Sequence, residues 1–446
     1  MKDVLHDLGF SGRIVSKTHD NAANIVGAMQ PPPRPQDPEY IEGESIRCAC
    51  HVLNLVVTDV LGNPANGVDD IRDKARAVST HFNHSSTSQT ALNKEQSAAH
   101  ERSKKLKADV VTRWNSFYVM LERLIEQKAH LVTVLNGHAD RATRLLVPTP
   151  ENWETMKDIL LVLKPFYQAT TALEGDVYPT LSLVHFFYAA IIHTLTGAIT
   201  RPNFTPLATK LANALTVEMG KRWASTAAMA TSLACMLDPR TKGLNMFPPT
   251  THDEMWELLF REAFDYHKRD ETHSPVASVA QAQTDMKDEA ALDLFSALQS
   301  FHVPVQVHQP DAPSLVNDLR AEISSWKATP SAPLFSTKEA RTYTDPLGIW
   351  SEYHDLKRFP LLTPLARKYL CIPATSVPSE RVASAAGNVV TSKRARLNPG
   401  FVAKLTFAHM NWDMAELPSQ KERQELANRA IAAAQAAMAA VGNVSM

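Results

Sequence analysis

The chain is poor in cysteine, in net charge and in long apolar runs. Its four cysteines in 446 residues (Cys48, Cys50, Cys235 and Cys371) are too few and too scattered for a disulfide framework, and point to a reducing, intracellular compartment. A formal net charge of −1 excludes a chain-wide positive field drawing the protein to nucleic acid, so any DNA contact has to come from local patches. Met1, Lys2 and Asp3 open the sequence with no apolar run behind them, so no signal peptide is read here. No stretch reads as long and apolar enough to cross a bilayer. Leu181 to Leu195 comes closest, and His185 and His193 interrupt it. No membrane partner is therefore expected, and no internal repeat is found.

What is present suits a large folded protein. Hydrophobic residues make up 44% and charged residues 21%, enough for a core divided over two or three domains. A strand is expected over Arg13 to Lys17, with Asp20 beyond its end, and a helix over Asn21 to Gln30. The proline-rich stretch 31–38 reads as an exposed insertion. A second strand fits Ser45 to Cys48, followed by an apolar helix from His51 to Val60 and another over 68–82. Serine and asparagine make residues 84–93 read as loose.

From Asn115 onward the spacing is helical, with Phe117, Met120, Leu121 and Leu124 on one face. Thr149 before Pro150 announces a helix carrying Trp153, Met156, Leu160 and Leu163. Further helices fit 181–197, 205–236, 251–268, 286–301 and 313–326. Pro360 to Leu370 begins a last helical block. Asn398 before Pro399 starts another helix, and Ser419 with Glu422 forms a capping-box pattern ahead of an alanine-rich tail.

Several motifs follow one another in order. Asp20 sits in Thr-His-Asp-Asn-Ala-Ala-Asn, and Cys48-Ala-Cys-His51 precedes Val-Leu-Asn-Leu. Thr112-Arg113-Trp114-Asn115-Ser116 opens one helix, and Leu237-Asp238-Pro239-Arg240 ends another. A long run from Phe359-Pro360-Leu-Leu-Thr-Pro to Ser379-Glu380-Arg381 continues to Asn398-Pro399. Together these resemble the hAT transposase superfamily and its domesticated BED-finger relatives, over nearly the whole chain.

The resemblance implies a mostly α protein. Its α/β part would be the remnant of a ribonuclease H-like domain interrupted by a large α-helical insertion. Residues 1–115 would be the partial ribonuclease H-like domain, 116–339 the helical insertion, 340–412 the dimerisation region and 413–446 a helical tail. In that family three carboxylates hold two magnesium ions about 3.5–4 Å apart across a scissile phosphate. Asp20 matches the second aspartate and Glu380 the glutamate, so both are the implied metal ligands. Cys48, His51, Arg113 and Trp114 match motifs beside the active site. The first aspartate, three strands and a BED finger would lie ahead of residue 1. The expectation is therefore a relic without strand cleavage, with magnesium as cofactor only if the site is completed.

Each residue also has a plain structural reading. Asp20 suits a helix cap. Cys48, Cys50 and His51 lack the second ligand pair of a structural zinc site and read as packing residues. Trp114 is either a core anchor or a surface for stacking an unpaired base. Lys104, Lys105 and Lys107, and likewise Lys393, Arg394 and Arg396, are either solvated faces or phosphate contacts, and basic clusters of this kind also serve nuclear import. Phe401, Val402, Leu405, Phe407 and Trp412 are more apolar than one thin helix needs, which favours a homodimer interface. The favoured reading is a nuclear, dimerising, transposase-derived protein with DNA as a further partner. The alternatives are a transposase completed by further sequence and a helical interaction scaffold.

Overall fold

A computed structural model describes residues 14–29, 43–110, 113–175, 178–223, 228–273, 312–336, 343–390 and 397–411. The chain divides after Ser376 into two units, Met1–Ser376 and Val377–Met446. The expected helix over 1–12, the proline insertion, the helix over 286–301 and the alanine-rich tail lie outside the described residues.

In the first unit, β1 (Ser16–His19) and β2 (Glu44–Arg47) pair in parallel, Ser16 opposite Glu44 and His19 opposite Arg47. The first strand therefore begins three residues and ends two residues further on than expected. Ile46 is buried opposite Thr18, and burying that side chain sets the register. A parallel pair needs a crossover, and α1 (Ala23–Met29) lies within it.

Helix α2 (Ala49–Gly62) buries Val52, Leu53, Val56, Val57, Val60 and Leu61, the pattern of a central helix. It is followed by α3 (Asp69–His84), α4 (Ser86–Ala98), α5 (Trp114–Glu126), α6 (Lys128–Asn136) and the single turn α7 (Arg141–Arg144). The stretch read as loose is thus mostly helix α4. Ser85 Oγ accepts from Ser88 N at 3.1 Å and Leu92 is fully buried, so a cap and a core contact outweigh weak local propensity.

Helix α8 (Pro150–Leu173) starts where Thr149 and Pro150 announce it, with Thr149 and Asn152 capping each other. Its core positions are Trp153, Met156, Ile159, Leu163 and Phe166, so Ile159 takes the place expected of Leu160. Helices α9 (Val184–Ile199) and α10 (Pro206–Trp223) pack on α8, and α10 also on α2. The pattern read as one helix over 205–236 is divided into α10 and α11 (Met229–Leu237). A fresh start at Met229 is favoured because the Glu44 carboxylate accepts from Ala230 N at 3.2 Å, capping the new helix.

One helix, Leu181–Ile199, is long and apolar enough to cross a membrane by length and composition, which corrects the expectation of none. Two histidines lower its hydropathy too little to interrupt it. Here it packs against α8, α10 and α11, with Val184, Ile191, Leu195 and Ala198 buried.

The rest of the unit is α12 (His252–His273), α13 (Ala312–Ala328), α14 (Pro346–Asp355) and α15 (Thr363–Leu370). These meet α11 at its C-terminal end, the expected Leu237-Asp238-Pro239-Arg240 stop. The indoles of Trp326 and Trp350 donate to Met236 O (2.9 Å) and Leu237 O (2.7 Å), satisfying carbonyls the helix leaves open. Arg240 Nε and Nη2 clamp the Asp238 carboxylate at 2.9 and 2.6 Å, and both side chains are 0% exposed. Ser182 Oγ donates to the same carboxylate, while Arg240 also donates to Pro179 O and Thr344 O. Lys242, its pKa lowered to about 8 by burial, donates to Trp326 O at 2.6 Å and lies over the Trp326 ring.

In the second unit, α16 (Val377–Val389) packs on α17 (Pro399–Met410). Asn398 caps α17 as expected, its Oδ1 accepting from Gly400 N at 2.8 Å.

Removing one member of a buried ion pair leaves the other charge uncompensated. Asp238→Ala should therefore cost about 3–5 kcal/mol of stability, read as a fall in the thermal midpoint. An exposed pair such as Lys157–Glu154, with both side chains 57% exposed, should show under about 1 kcal/mol in the same assay.

Candidate functional site

The C-terminal ends of two parallel strands are where α/β sheets hold ligands, because both strands deliver loops and helix starts to one place. Here Asp20 directly follows β1 and Cys48 directly follows β2. Asp20 is half-buried, and its Oδ1 accepts from Ala22 N at 2.9 Å, so one carboxylate oxygen caps the start of α1. The buried His19 ring lies 2.6 Å from Asp20 O and 2.7 Å from Ser45 Oγ. A carbonyl only accepts, so Nδ1 carries the hydrogen there, and in the neutral ring Ser45 donates to Nε2. His19 thereby ties the residue before Asp20 to β2.

Cys48 and Cys50 face different neighbours. Cys48 N donates to His19 O at 2.7 Å, and its sulfur accepts from His51 N at 3.4 Å, capping α2. Cys50 Sγ points to Thr170 O on α8 at 3.7 Å. His51 lies on the first turn of α2, half-buried.

A distant segment of chain closes this place from far along the sequence. Thr18 Oγ1 donates to Pro373 O at 3.0 Å, and Ala49 N to Ala374 O at 2.9 Å. Thr375 Oγ1 lies 3.2 Å from Cys48 Sγ, which also accepts from Ser376 N at 3.4 Å. Ala374 N donates to Thr180 Oγ1 at 3.0 Å. Residues 373–376 are thus bonded to both strand ends, and they lead directly into α16, where Glu380 stands exposed in the first turn. Asp20 belongs to the first unit and Glu380 to the second.

Helix α15 delivers that segment and is fastened at both ends by acids. Leu361 N and Leu362 N donate to Glu322 Oε1 of α13 at 2.9 and 2.8 Å. Near its C-terminus, Lys368 Nζ and Tyr369 OH both donate to Glu262 of α12, at 2.8 and 2.6 Å. Burial raises the Glu322 pKa to about 7, against the two backbone bonds that lower it, and nearby Asp318 adds to the rise. Burial raises the Glu44 pKa as well, Glu262 contributing.

The remaining sequence candidates fall elsewhere. Trp114 is 5% exposed and packs in the core as the first residue of α5, so its faces are covered. Arg113 is exposed at the helix start. Lys104 is ion-paired with Glu126, whereas Lys105 and Lys107 are exposed. Lys393, Arg394, Arg396 and Trp412 lie outside the described residues. Sequence reading missed Thr18, Thr180, Thr375 and Glu322. No local signal marks them, because their partners lie 39 to 355 residues away.

Two family models match. Residues 46–162 match the ZBED1 RNase-like helical domain, and residues 326–412 match the hAT family C-terminal dimerisation region. The chain is 27% identical over 372 residues to a putative AC transposase of Zea mays, covering 81% of this chain and 43% of that protein. It is 23% identical to the putative transcriptional regulator tpeD of Talaromyces stipitatus, covering 91% of this chain and 46% of that one. It is 24% identical to zinc finger BED domain-containing protein 4 of Homo sapiens, covering 83% of this chain and 30% of that protein. The chain thus spans less than half the length of these relatives.

Glu322 makes stability pH-dependent with a defined sign. Its pKa in the folded protein lies above the ordinary 4.5, so below 4.5 it is protonated in both states and carries no penalty. Above about 7 it is charged in both, and the folded state bears the burial cost. The stability of the wild type relative to Glu322→Gln, which keeps the accepting oxygen, should fall as pH rises from 4.5 to 7. The fall should be on the order of 2 kcal/mol once partial exposure is discounted, with a plateau above. Paired thermal melts across that range check it, and a pH-independent difference would sink the assignment.

Proposed function

We propose, from the premise that this chain is an hAT-family transposase-like protein, that it is transposase-derived, self-associates through its second unit and handles DNA in the nucleus without cutting it on its own. The observation that carries this reading is the face of α17. Phe401 is 61% exposed and Phe407 71%, with Leu405 and Met410 also exposed, all within the region matched to the hAT dimerisation model. Val402, half-buried, belongs to the same helix. At 100° per residue, Phe401 and Leu405 share one flank and Phe407 and Met410 the other, with buried Thr406 between them. A helix apolar on two flanks is stable in water only when covered on both. A second copy of the chain is the partner that the matched region supports.

The DNA part of the proposal rests on kinship with transposases and on the strand-end site. Residues 373–376 bond to Thr18 and Ala49, beside Asp20 at the end of the first strand. Magnesium takes hard oxygen ligands. Asp20 and Glu380 offer carboxylates, but one Asp20 oxygen already caps α1, and among the described residues no cluster of three metal-ligating side chains is found. No cutting step is therefore assigned to these two acids.

Two measurements test the proposal. Phe401→Ser with Phe407→Ser should convert a sedimenting dimer to monomer at micromolar concentration, and a wild type that is already monomeric defeats the dimer reading. Purified chain with magnesium and supercoiled plasmid should give no nicking. If nicking appears and Glu380→Gln abolishes it, the chain is an active nuclease and the non-cutting reading falls.

A further inference from the structure

Between α4 and α5 the chain crosses the surface from Glu101 to Val110 without helix or strand, yet it is firmly held. Gln96, fully buried on α4, accepts from Lys104 N at 3.0 Å and donates to Lys104 O at 3.0 Å. One side chain thereby bonds both backbone groups of a single residue, as a neighbouring strand would. Gln96 also donates to Gln127 Oε1 at 2.7 Å. Arg123 donates to Lys105 O at 2.8 Å. At the far end, the Asp109 carboxylate accepts from Arg76 at 2.8 Å and from Ser116 Oγ at 2.9 Å.

This strap is a basic segment of a nearly neutral chain. Residues 101–110 carry Arg102, Lys104, Lys105 and Lys107 against Glu101 and Asp109, four positive charges less two negative, net +2 against −1 for the whole protein, and Arg113 follows. Lys104 pairs with Glu126 and Asp109 with Arg76. Arg102, Lys105, Lys107 and Arg113 are exposed, and Leu106 between the two lysines is buried. That in–out alternation belongs to extended chain, which sets Lys105 and Lys107 on one side about 6.6 Å apart.

Resting on the DNA reading above, we propose that the strap tracks a nucleic-acid backbone, Lys105 and Lys107 meeting neighbouring phosphates of one strand. Its backbone is held by Gln96 and Arg123, so the two lysine Cα positions are set before binding and only the side chains adjust to the phosphates. No aromatic side chain stands between them to read a base or a peptide side chain. What they recognise is therefore a regularly spaced polyanion, contacted for position rather than sequence.

The test is fluorescence anisotropy of the full chain with a labelled duplex of mixed sequence and with one of its strands, titrated over a range of salt. Each phosphate contact contributes a slope of roughly 0.9 in log affinity against log salt for duplex and roughly 0.7 for single strand. Lys105→Gln with Lys107→Gln should flatten the slope by about 1.8 on duplex or about 1.4 on single strand. A fourfold rise in salt would then cost the double variant about twelvefold less duplex affinity than it costs the wild type. Lys105→Arg with Lys107→Arg should keep the wild-type slope. Lys157→Gln with Lys221→Gln, exposed lysines of α8 and α10, should keep it too. A wild-type slope in the Lys105/Lys107 glutamine variant, or equal flattening by the control pair, overturns the strap while leaving DNA binding in place. A wild type with no salt-dependent binding overturns both.

Discussion

A carboxylate and a guanidinium out of contact with water fix the architecture of the larger unit. Burying both charges is tolerable only because every side of the pair is bonded: Asp238 by Ser182 and by the backbone of Arg240, Arg240 by the carbonyls of Pro179 and Thr344. Those partners come from a turn before α9 and from the approach to α14. One ion pair therefore fixes where three distant parts of the chain meet. Beside it, two tryptophans close the end of α11, and Tyr353 and Phe359 pack edge-on around them.

Helix α11 works as a strut. Its N-terminus is capped by Glu44, the first residue of β2, and its C-terminus is held by that tryptophan and ion-pair knot. A short helix with both ends occupied carries position from the helical body to the small sheet. The sheet has only two strands among the described residues, too few to be stable alone. Its strand ends are completed by backbone from 373–376, itself placed by α15 between Glu322 and Glu262. The candidate site is thus held mainly by groups outside the sheet.

Helices with strong local signals were legible in the sequence. Thr149-Pro150 and Asn398-Pro399 gave correct starts, and Leu237-Asp238 gave a correct stop, because caps act on the nearest backbone groups. Both strands were recognised from short apolar runs, the first with a displaced boundary, since register is decided by what Ile46 buries. The misreadings share a cause. Residues 84–93 and the break between α10 and α11 are settled by tertiary partners, Leu92 in the core and Glu44 from the sheet. At the candidate site, Asp20 and Cys48 sit in motifs, whereas Thr18, Thr180 and Thr375 acquire a role only through distant partners, Pro373, Ala374 and Cys48.

The closure of the strand ends by residues 373–376 also bears on the order of folding. Thr18 meets Pro373 across 355 residues, and Cys48 meets Ser376 across 328. Contacts so remote in sequence form after local ones, because the loop they close must first lose its entropy. On the ribosome, both strands emerge long before their partner is synthesised. Until then the sulfur of Cys48 and the ends of both strands stay uncovered, so the nascent chain passes through a stage in which this seam is open to solvent and to chaperones.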